Sequence, residues 1–400
     1  MVMESAIRSV IKVSNENAIR IEDLVKKGRE IPIVDNGIER FEFHEYEPVN
    51  GTNLNAGEIS INVEQQDLFT LPSEAFLLSV GQLLKANGTA YANTDAVALT
   101  NNDIMQLFRQ ISYQLSNQDI EIVYYPGQAT TMFGILKYPN DFQLAVVKPT
   151  RKGTFSLCVP LRHIFGFCDD YDKFIYGVKH TITVVRQSDD DAIFKLAAAA
   201  AGKVNLNKIS LFIPYVIASN AERFKLYKQI ESKVTLPVSF RARKCDSISV
   251  AQSTSFTWRL SVKTFPENPR YIIVGFQISK RGDQNVKASI FDYCDLKNIA
   301  YREQFSRAYR EAAVFNEKFY GVNELITHSN ITPSNYKDLY PLFVFDVSKQ
   351  SERLKLSPIH VQIKATFNTA VPDVTQASTV VISDRMIEFQ SDGNKMNVFY

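Results

Sequence analysis

Ser255-Phe256-Thr257-Trp258-Arg259-Leu260-Ser261-Val262-Lys263 alternates strictly, with Phe256, Trp258, Leu260 and Val262 on one side and polar groups on the other. Successive strand side chains point to opposite faces, so the stretch reads as a half-buried strand of an antiparallel sheet. The pattern recurs at 58–64, where Ile59, Ile61 and Val63 face in, and again at 359–367. Two runs, 271–276 and 342–347, are apolar on both faces and predict central strands. Turn signals separate such runs: Pro48-Val49-Asn50-Gly51, Tyr125-Pro126-Gly127, Pro266-Glu267-Asn268-Pro269 and Asp392-Gly393-Asn394. Many short strands with turn clusters, 27 Phe and 18 Tyr predict an all-β chain of sandwiches or barrels.

A chain of 400 residues holds two such β-domains, at about 100–200 residues each. The division falls near 225–235, where a helical-looking 221–230 segment precedes a 234–240 strand. This gives an N-terminal arm at 1–35, a first sandwich at 36–228 and a second at 229–400. Two helices are expected to interrupt the strands, one insertion per domain at different relative positions. Asn102 would cap a helix carrying Ile104, Leu107, Phe108, Ile111 and Leu115 on one face. Phe305, Tyr309, Ala312, Phe315 and Phe319 recur at helical spacing and Gly321 supplies a stop. No repeat with a period of 20–50 residues stands out, although a duplicated fold with diverged sequence would leave none.

Lys and Arg total 45 against 43 Asp and Glu, and this balance argues against a dedicated nucleic-acid binder. Cys158, Cys168, Cys245 and Cys294 fit no zinc or CxxC spacing and read as buried free thiols. The N-terminal MVMESAIRSVIKVSNENAIR lacks a long apolar core and a small-residue cleavage site, so no signal peptide is expected. The sequons at Asn50, Asn87 and Asn330 are then expected to stay unmodified inside the cell. The apolar stretch at 194–202 is too short to span a bilayer.

Catalytic signatures are missing: there is no GxSxG, no GxxxxGK[ST], no GxGxxG and no HExxH. His44, His163, His180, His328 and His360 are scattered and read as surface or satisfied core groups rather than ligands. Asp169, Asp170 and Asp172, with Asp189, Asp190 and Asp191, could offer oxygen to Ca²⁺, but neither run has the spacing of a calcium loop. They are expected in solvated loops. Three basic groups (Lys26, Lys27 and Arg29; Lys148, Arg151 and Lys152; Arg241, Arg243 and Lys244) could meet phosphates weakly, without sequence preference. Arg281-Gly282-Asp283 is a cell-attachment triplet in an expected loop. Roughly one chain of this size in ten carries it by chance, so coincidence is the expected reading. No catalytic, cofactor or metal residue is therefore assigned.

Five stretches carry a family resemblance: 41–78, 153–194, NPRYIIVGFQ at 268–277, IESKVTLPVSFRARKCD at 230–246, and 341–373. Together they resemble the double jelly-roll capsid-like proteins of invertebrate genomes, which are similar to major capsid proteins of Polinton/Maverick elements and adintoviruses. The resemblance implies a tandem double jelly roll, two antiparallel β-sandwiches in one chain with short helical insertions. It further implies homotrimers that pack with neighbouring capsomers, and with penton or minor capsid proteins, into a virion. No membrane span and no sequence-specific nucleic-acid binding are implied. Phe305, Phe315 and Phe319 then become candidates for a trimer interface, against packing within their own domain. Beside its apparent relatives the chain looks shortened near 146–152 and 296–302, which suggests trimmed loops or a host-genome-embedded copy, located in the cytoplasm or nucleus. Two other readings compete: a β-sandwich module binding a carbohydrate or cell surface, and a glycosidase-like enzyme with paired carboxylates about 5–10 Å apart.

Overall fold

The computed structural model describes residues 38–49, 53–64, 68–138, 153–232, 235–260, 268–299, 305–321, 331–349, 361–391 and 396–399. The first twelve strands are β1 (Ile38–Tyr46), β2 (Glu58–Val63), β3 (Phe69–Thr70), β4 (Phe76–Lys85), β5 (Val97–Leu99), β6 (Phe108–Leu115), β7 (Gln118–Tyr124), β8 (Thr154–Pro160), β9 (Ile175–Tyr176), β10 (His180–Arg186), β11 (Ile193–Lys195) and β12 (Gly202–Ala218). After them come β13 (Thr235–Val250), β14 (Ser255–Arg259), β15 (Asn268–Ile278), β16 (Leu296–Asn298), β17 (Phe343–Asp346), β18 (Gln362–Phe367), β19 (Thr375–Ser391) and β20 (Met396–Phe399).

The alternating segments lie where their pattern places them. In β14, Phe256 and Trp258 are buried while Ser255, Thr257 and Arg259 face solvent. β2 buries Ile59, Ile61 and Val63, and β18 buries Ile363, Ala365 and Phe367. β15 is buried on both faces from Tyr271 to Gln277 because it runs between β19 and β17 and is covered on its outer side as well.

One sheet runs β1-β12-β4-β8, with the short β3 and β9 continuing from β12, and a second runs β2-β10-β6-β7. Numbering these eight longer strands in chain order, the sheets read 1-8-3-6 and 2-7-4-5. Each hairpin is thereby wrapped around the core, which is the jelly-roll path. The later strands repeat it: β13-β19-β15-β17 and β14-β18-β16 read 1-8-3-6 and 2-7-4. The fifth place is without a strand among the described residues. No sheet mixes strands from 38–218 with strands from 235–399, and the 220–231 helix lies between the two sets.

Two helical expectations need correction. Asn102 does not begin a long helix. The helix Asp103–Gln106 is four residues long, and Phe108–Leu115 is strand β6. Ile104, Leu107, Phe108, Ile111 and Leu115 are all buried as expected. However, β6 is paired on both edges, by β10 and β7, and those ladders outweigh the local preference. Asn102 sits at φ 61°, and its amide donates to Gly127 O at 3.2 Å, Thr130 Oγ1 at 2.6 Å and Thr131 Oγ1 at 3.0 Å.

Tyr125-Pro126-Gly127, read as a turn, instead opens the helix Pro126–Lys137, with proline at its first position where no N–H is needed. That helix is buried on nearly every side, so it shows no amphipathic stripe. It occupies the connection between strands five and six of the first jelly roll. The helices Phe305–Ala313 and Phe315–Tyr320, ended by Gly321 at φ 68°, precede strand six of the second. The insertions therefore fall at the same place in both halves, contrary to expectation.

Candidate functional site: the seam between the jelly rolls

A short turn of helix, Gly166–Asp170, lies against the edge strand β13. Only glycine allows the approach: a Cβ on Gly166 would stand 1.8 Å from Arg241 O. The turn brings Asp169 and Asp170 to two arginines of β13. Asp170 takes Arg241 Nη2 at 2.5 Å, Nε at 2.9 Å and its backbone N–H at 2.7 Å, a planar two-point match. The Arg241 guanidinium also lies 3.7 Å from the Phe319 ring centre.

Arg243 is deeper, 4% exposed. Its Nη2 donates to Asp169 Oδ2 at 2.6 Å, and its Nη1 to His163 O at 2.9 Å and Arg162 O at 3.2 Å. Its backbone N–H donates to Glu121 Oε1 at 2.7 Å, while Phe167 N–H donates to Glu121 Oε2 at 3.1 Å. Lys137 Nζ and Tyr320 OH complete the shell of Asp169, at 2.7 and 2.6 Å. Phe133 lies beneath the Arg243 guanidinium at 3.9 Å and meets Phe315 and Phe319 edge-on.

Burial raises Asp169, but Arg243 and Lys137 outweigh it and hold the carboxyl below its ordinary range. Burial dominates at Glu121 and raises it, despite Arg243 and the backbone donors. Burial also lowers Lys137 to about 8, and together with Arg243 it lowers His163 to about 3. Neutral His163 shares a hydrogen bond with Tyr138 OH at 3.2 Å. Charges buried in this way are tolerable only when matched and hydrogen-bonded, and the matching spans residues far apart in the chain.

A second clamp lies further along the seam. The Gln284 amide takes the N–H of Gly202 and gives to its carbonyl, both at 2.8 Å, and also donates to Asp190 Oδ1 at 2.8 Å. Gly282 N–H donates to Asp191 Oδ1 at 2.7 Å, and Lys195 Nζ to Asn285 Oδ1 at 2.9 Å.

These contacts revise several readings. Asp169, Asp170, Asp190 and Asp191 are structural partners across the seam rather than solvated loop acids, Asp189 pairs with Arg186 at 2.6 Å, and Asp172 is exposed. Among the described residues no group of three or more His, Cys, Asp or Glu could hold a metal ion. Arg241 and Arg243 are consumed by carboxylates. Lys26, Lys27, Arg29, Lys148, Arg151 and Lys152 lie outside the described residues, as do His328 and His360.

His180 is a satisfied core group. Its ring meets Thr70 Oγ1 at 2.9 Å and Tyr113 OH at 2.7 Å, and burial lowers it to about 3. His44 packs on Tyr215. All four cysteines are free, with Cys168 and Cys245 buried and Cys158 and Cys294 only partly so. In the 281–283 loop, Arg281 is held by Ser378 Oγ at 2.8 Å and its triplet glycine by Asp191. Phe315 and Phe319 are buried inside the chain against Phe133 and Tyr271, so they supply no surface for a trimer.

Glu121, Lys137, Tyr320 and Gln284 carry no sequence signal. On a strand, Glu121 reads as one more solvent-facing position.

Two jelly rolls of the same strand order, joined by a charged seam, define the class: the chain belongs to the double jelly roll-like domain family, whose model matches residues 97–387. Its fold is similar to that of viral major capsid proteins at low sequence identity. The mavirus major capsid protein matches with a TM-score of 0.53 and 11% identity, over 97% of this chain and 94% of that one. PBCV-1 VP54, as fitted into a reconstruction of the virophage Sputnik, matches with a TM-score of 0.53 and 11% identity, over 90% and 97%. The Faustovirus major capsid protein matches at 0.50 and 10%, over 97% and 96%. By sequence, no curated protein matches the chain. Among the described residues no helix is long and apolar enough to cross a membrane.

Proposed function

We propose that this chain is a shell subunit of the major-capsid type, or a host-genome-embedded relative of one, which acts by forming trimers that tile a closed surface. Its two units would be 36–228 and 229–400, preceded by an arm at 1–35. The carrying observation is the repeated 1-8-3-6 and 2-7-4 strand order locked side by side by Arg243, Glu121 and Asp169. Six-sided tiles built from three chains need two alike, rigidly joined units per chain, and the seam supplies the rigidity. The reading asks for no catalytic group or cofactor, and the seam carboxylates are committed to cations and backbone donors. Partners would be further copies of the chain, then penton or minor capsid proteins, and the location the virion if the chain is viral.

The binding-module alternative needs a loop ready to take a ligand. The best loop candidate is bound down through Arg281. Electron microscopy of the purified chain tests the proposal. Trimeric particles with pseudo-sixfold outline are expected, and uniformly single-chain particles would overturn it.

A further inference from the structure

The helical turn Leu161–Ile164 carries His163 into the seam, where the residue is 3% exposed. Its Nδ1 shares a hydrogen bond with Tyr138 OH, and among the described residues its Nε2 has no hydrogen-bond partner. A neutral imidazole tolerates this with one bond unmade. A protonated ring carries two N–H donors and a charge, and here it would find the Tyr138 oxygen alone.

The groups around the ring oppose the proton as well. Lys137 reaches it from the helix 126–137 and Arg243 from β13, and both disfavour a further positive charge. Asp169 of the 166–170 turn favours one, but this carboxylate already takes Lys137, Arg243 and Tyr320. Glu121 of β7 is occupied by the backbone N–H groups of Arg243 and Phe167. Arg162, next in the chain, is turned away to Glu74 and Ser73 O. Protonation would therefore place a third cation around one carboxylate in a buried site. The segment it would push away is the one that grips β13, because His163 O and Arg162 O hold Arg243 Nη1. No sheet mixes strands of the two halves, so the seam can loosen without breaking a ladder of either.

We propose that His163 makes the seam an acid-released latch: on its protonation the 161–170 segment withdraws from β13, and the jelly rolls loosen while each keeps its sheets. The device acts within a single chain and stands whether or not chains form trimers. Burial and the two cations lower the ring to about 3 in the closed seam, against an ordinary 6.5. Closure is thus fully supported above pH 6.5 and loses support as pH falls toward 3. Between pH 7.5 and 5 this one group raises the opening equilibrium about thirtyfold. Asp169 is held low and stays ionised over that range, and Lys137, lowered to about 8, is mostly charged throughout. Glu121 is raised and opposes opening as it gains a proton. That opposition is shared by a chain lacking His163, so comparison of the two isolates the histidine.

Two amides of β13 report the latch, since Arg241 N–H donates to Asp170 and Arg243 N–H to Glu121, both across the seam. Residue-resolved hydrogen exchange of the full chain at pH 7.5 and 5, corrected for the intrinsic pH dependence of exchange, follows them beside the amides of β6 and β10. Wild type is compared with His163→Gln, and with His180→Gln as a control whose buried histidine lies inside the first jelly roll. The expected loss of protection at Arg241 and Arg243 is about thirtyfold larger in wild type than in His163→Gln. His180→Gln should behave as wild type at these two amides. Equal losses in wild type and His163→Gln, or losses only in step with β6 and β10, would overturn the latch. If His163→Gln does not fold, NMR titration of the wild-type ring decides. Protonation that tracks exposure of the two amides supports the latch, and protonation with both still protected overturns it. Neither outcome bears on the number of chains in solution, so the shell-subunit reading stands or fails separately.

Discussion

Replacing Arg243 by methionine keeps most of the side-chain volume and removes the charge from the middle of the seam. Three hydrogen bonds are lost, to Asp169, His163 O and Arg162 O, and Asp169 is left with Lys137 and Tyr320. Breaking a buried pair by removing one partner costs about 3–5 kcal/mol. The remaining partners of Asp169 put the expected loss at the lower end, about 3–4 kcal/mol. At roughly 2.1 cal/mol/K per residue, a 400-residue chain has an unfolding entropy near 0.8 kcal/mol/K. The melting midpoint should therefore fall by about 4–5 °C. Guanidinium unfolding followed by fluorescence of Trp258, the only tryptophan, reports the second jelly roll, and far-UV circular dichroism reports both. Since the seam joins them, both signals should shift together. Asp169→Asn in the Arg243→Met background should cost less than in the wild type, with a coupling of at least about 1 kcal/mol. A loss below about 1 kcal/mol for Arg243→Met, or strict additivity with Asp169→Asn, would refute the seam as a stabilising element.

Gly166→Ala should cost about 3 kcal/mol or more, because its new Cβ meets the Arg241 carbonyl at 1.8 Å and the 166–170 turn must retreat from β13. Urea midpoints measure this, and an unchanged midpoint would show that the approach is loose. Gln284→Ala strips both backbone groups of Gly202 of their partner and should lose about 1–3 kcal/mol, measurable by hydrogen exchange at Gly202.

His163 and His180 are both lowered to about 3, so below their ordinary value of 6.5 the unfolded chain binds protons that the native one refuses. Stability is then fully present above pH 6.5 and falls as pH drops toward 3, by about 2 kcal/mol per histidine at pH 5. His180→Gln should lower the slope of stability against pH between about 4 and 6 by one proton's worth, about 1.4 kcal/mol per pH unit, and an unchanged slope would contradict the assignment.

Strands with one wet face were legible because burial on one side imposes period two. Phe256 and Trp258, and Ile59, Ile61 and Val63, lie where the pattern puts them. The class of fold, the 41–78 and 268–277 resemblance and the helix stop at Gly321 were equally readable. The helix 126–137 was not, because a helix packed between two sandwiches has no polar stripe, and Pro126-Gly127 resembles a turn. β6 misled for the opposite reason: Phe108, Ile111 and Leu115 fit a helical spacing, and only pairing to β10 and β7 decides between the periods.

The seam was least legible. Asp169 and Asp170 stand out as a charged run, but the arginines that neutralise them lie more than 70 residues away. A charged run reads as solvated until the fold brings its partner to it.

Light scattering of the full chain across a wide concentration range tests the shell-subunit proposal most directly. A stable species of three times the 45.4 kDa chain mass is the predicted result. A monodisperse single chain at every concentration would contradict it.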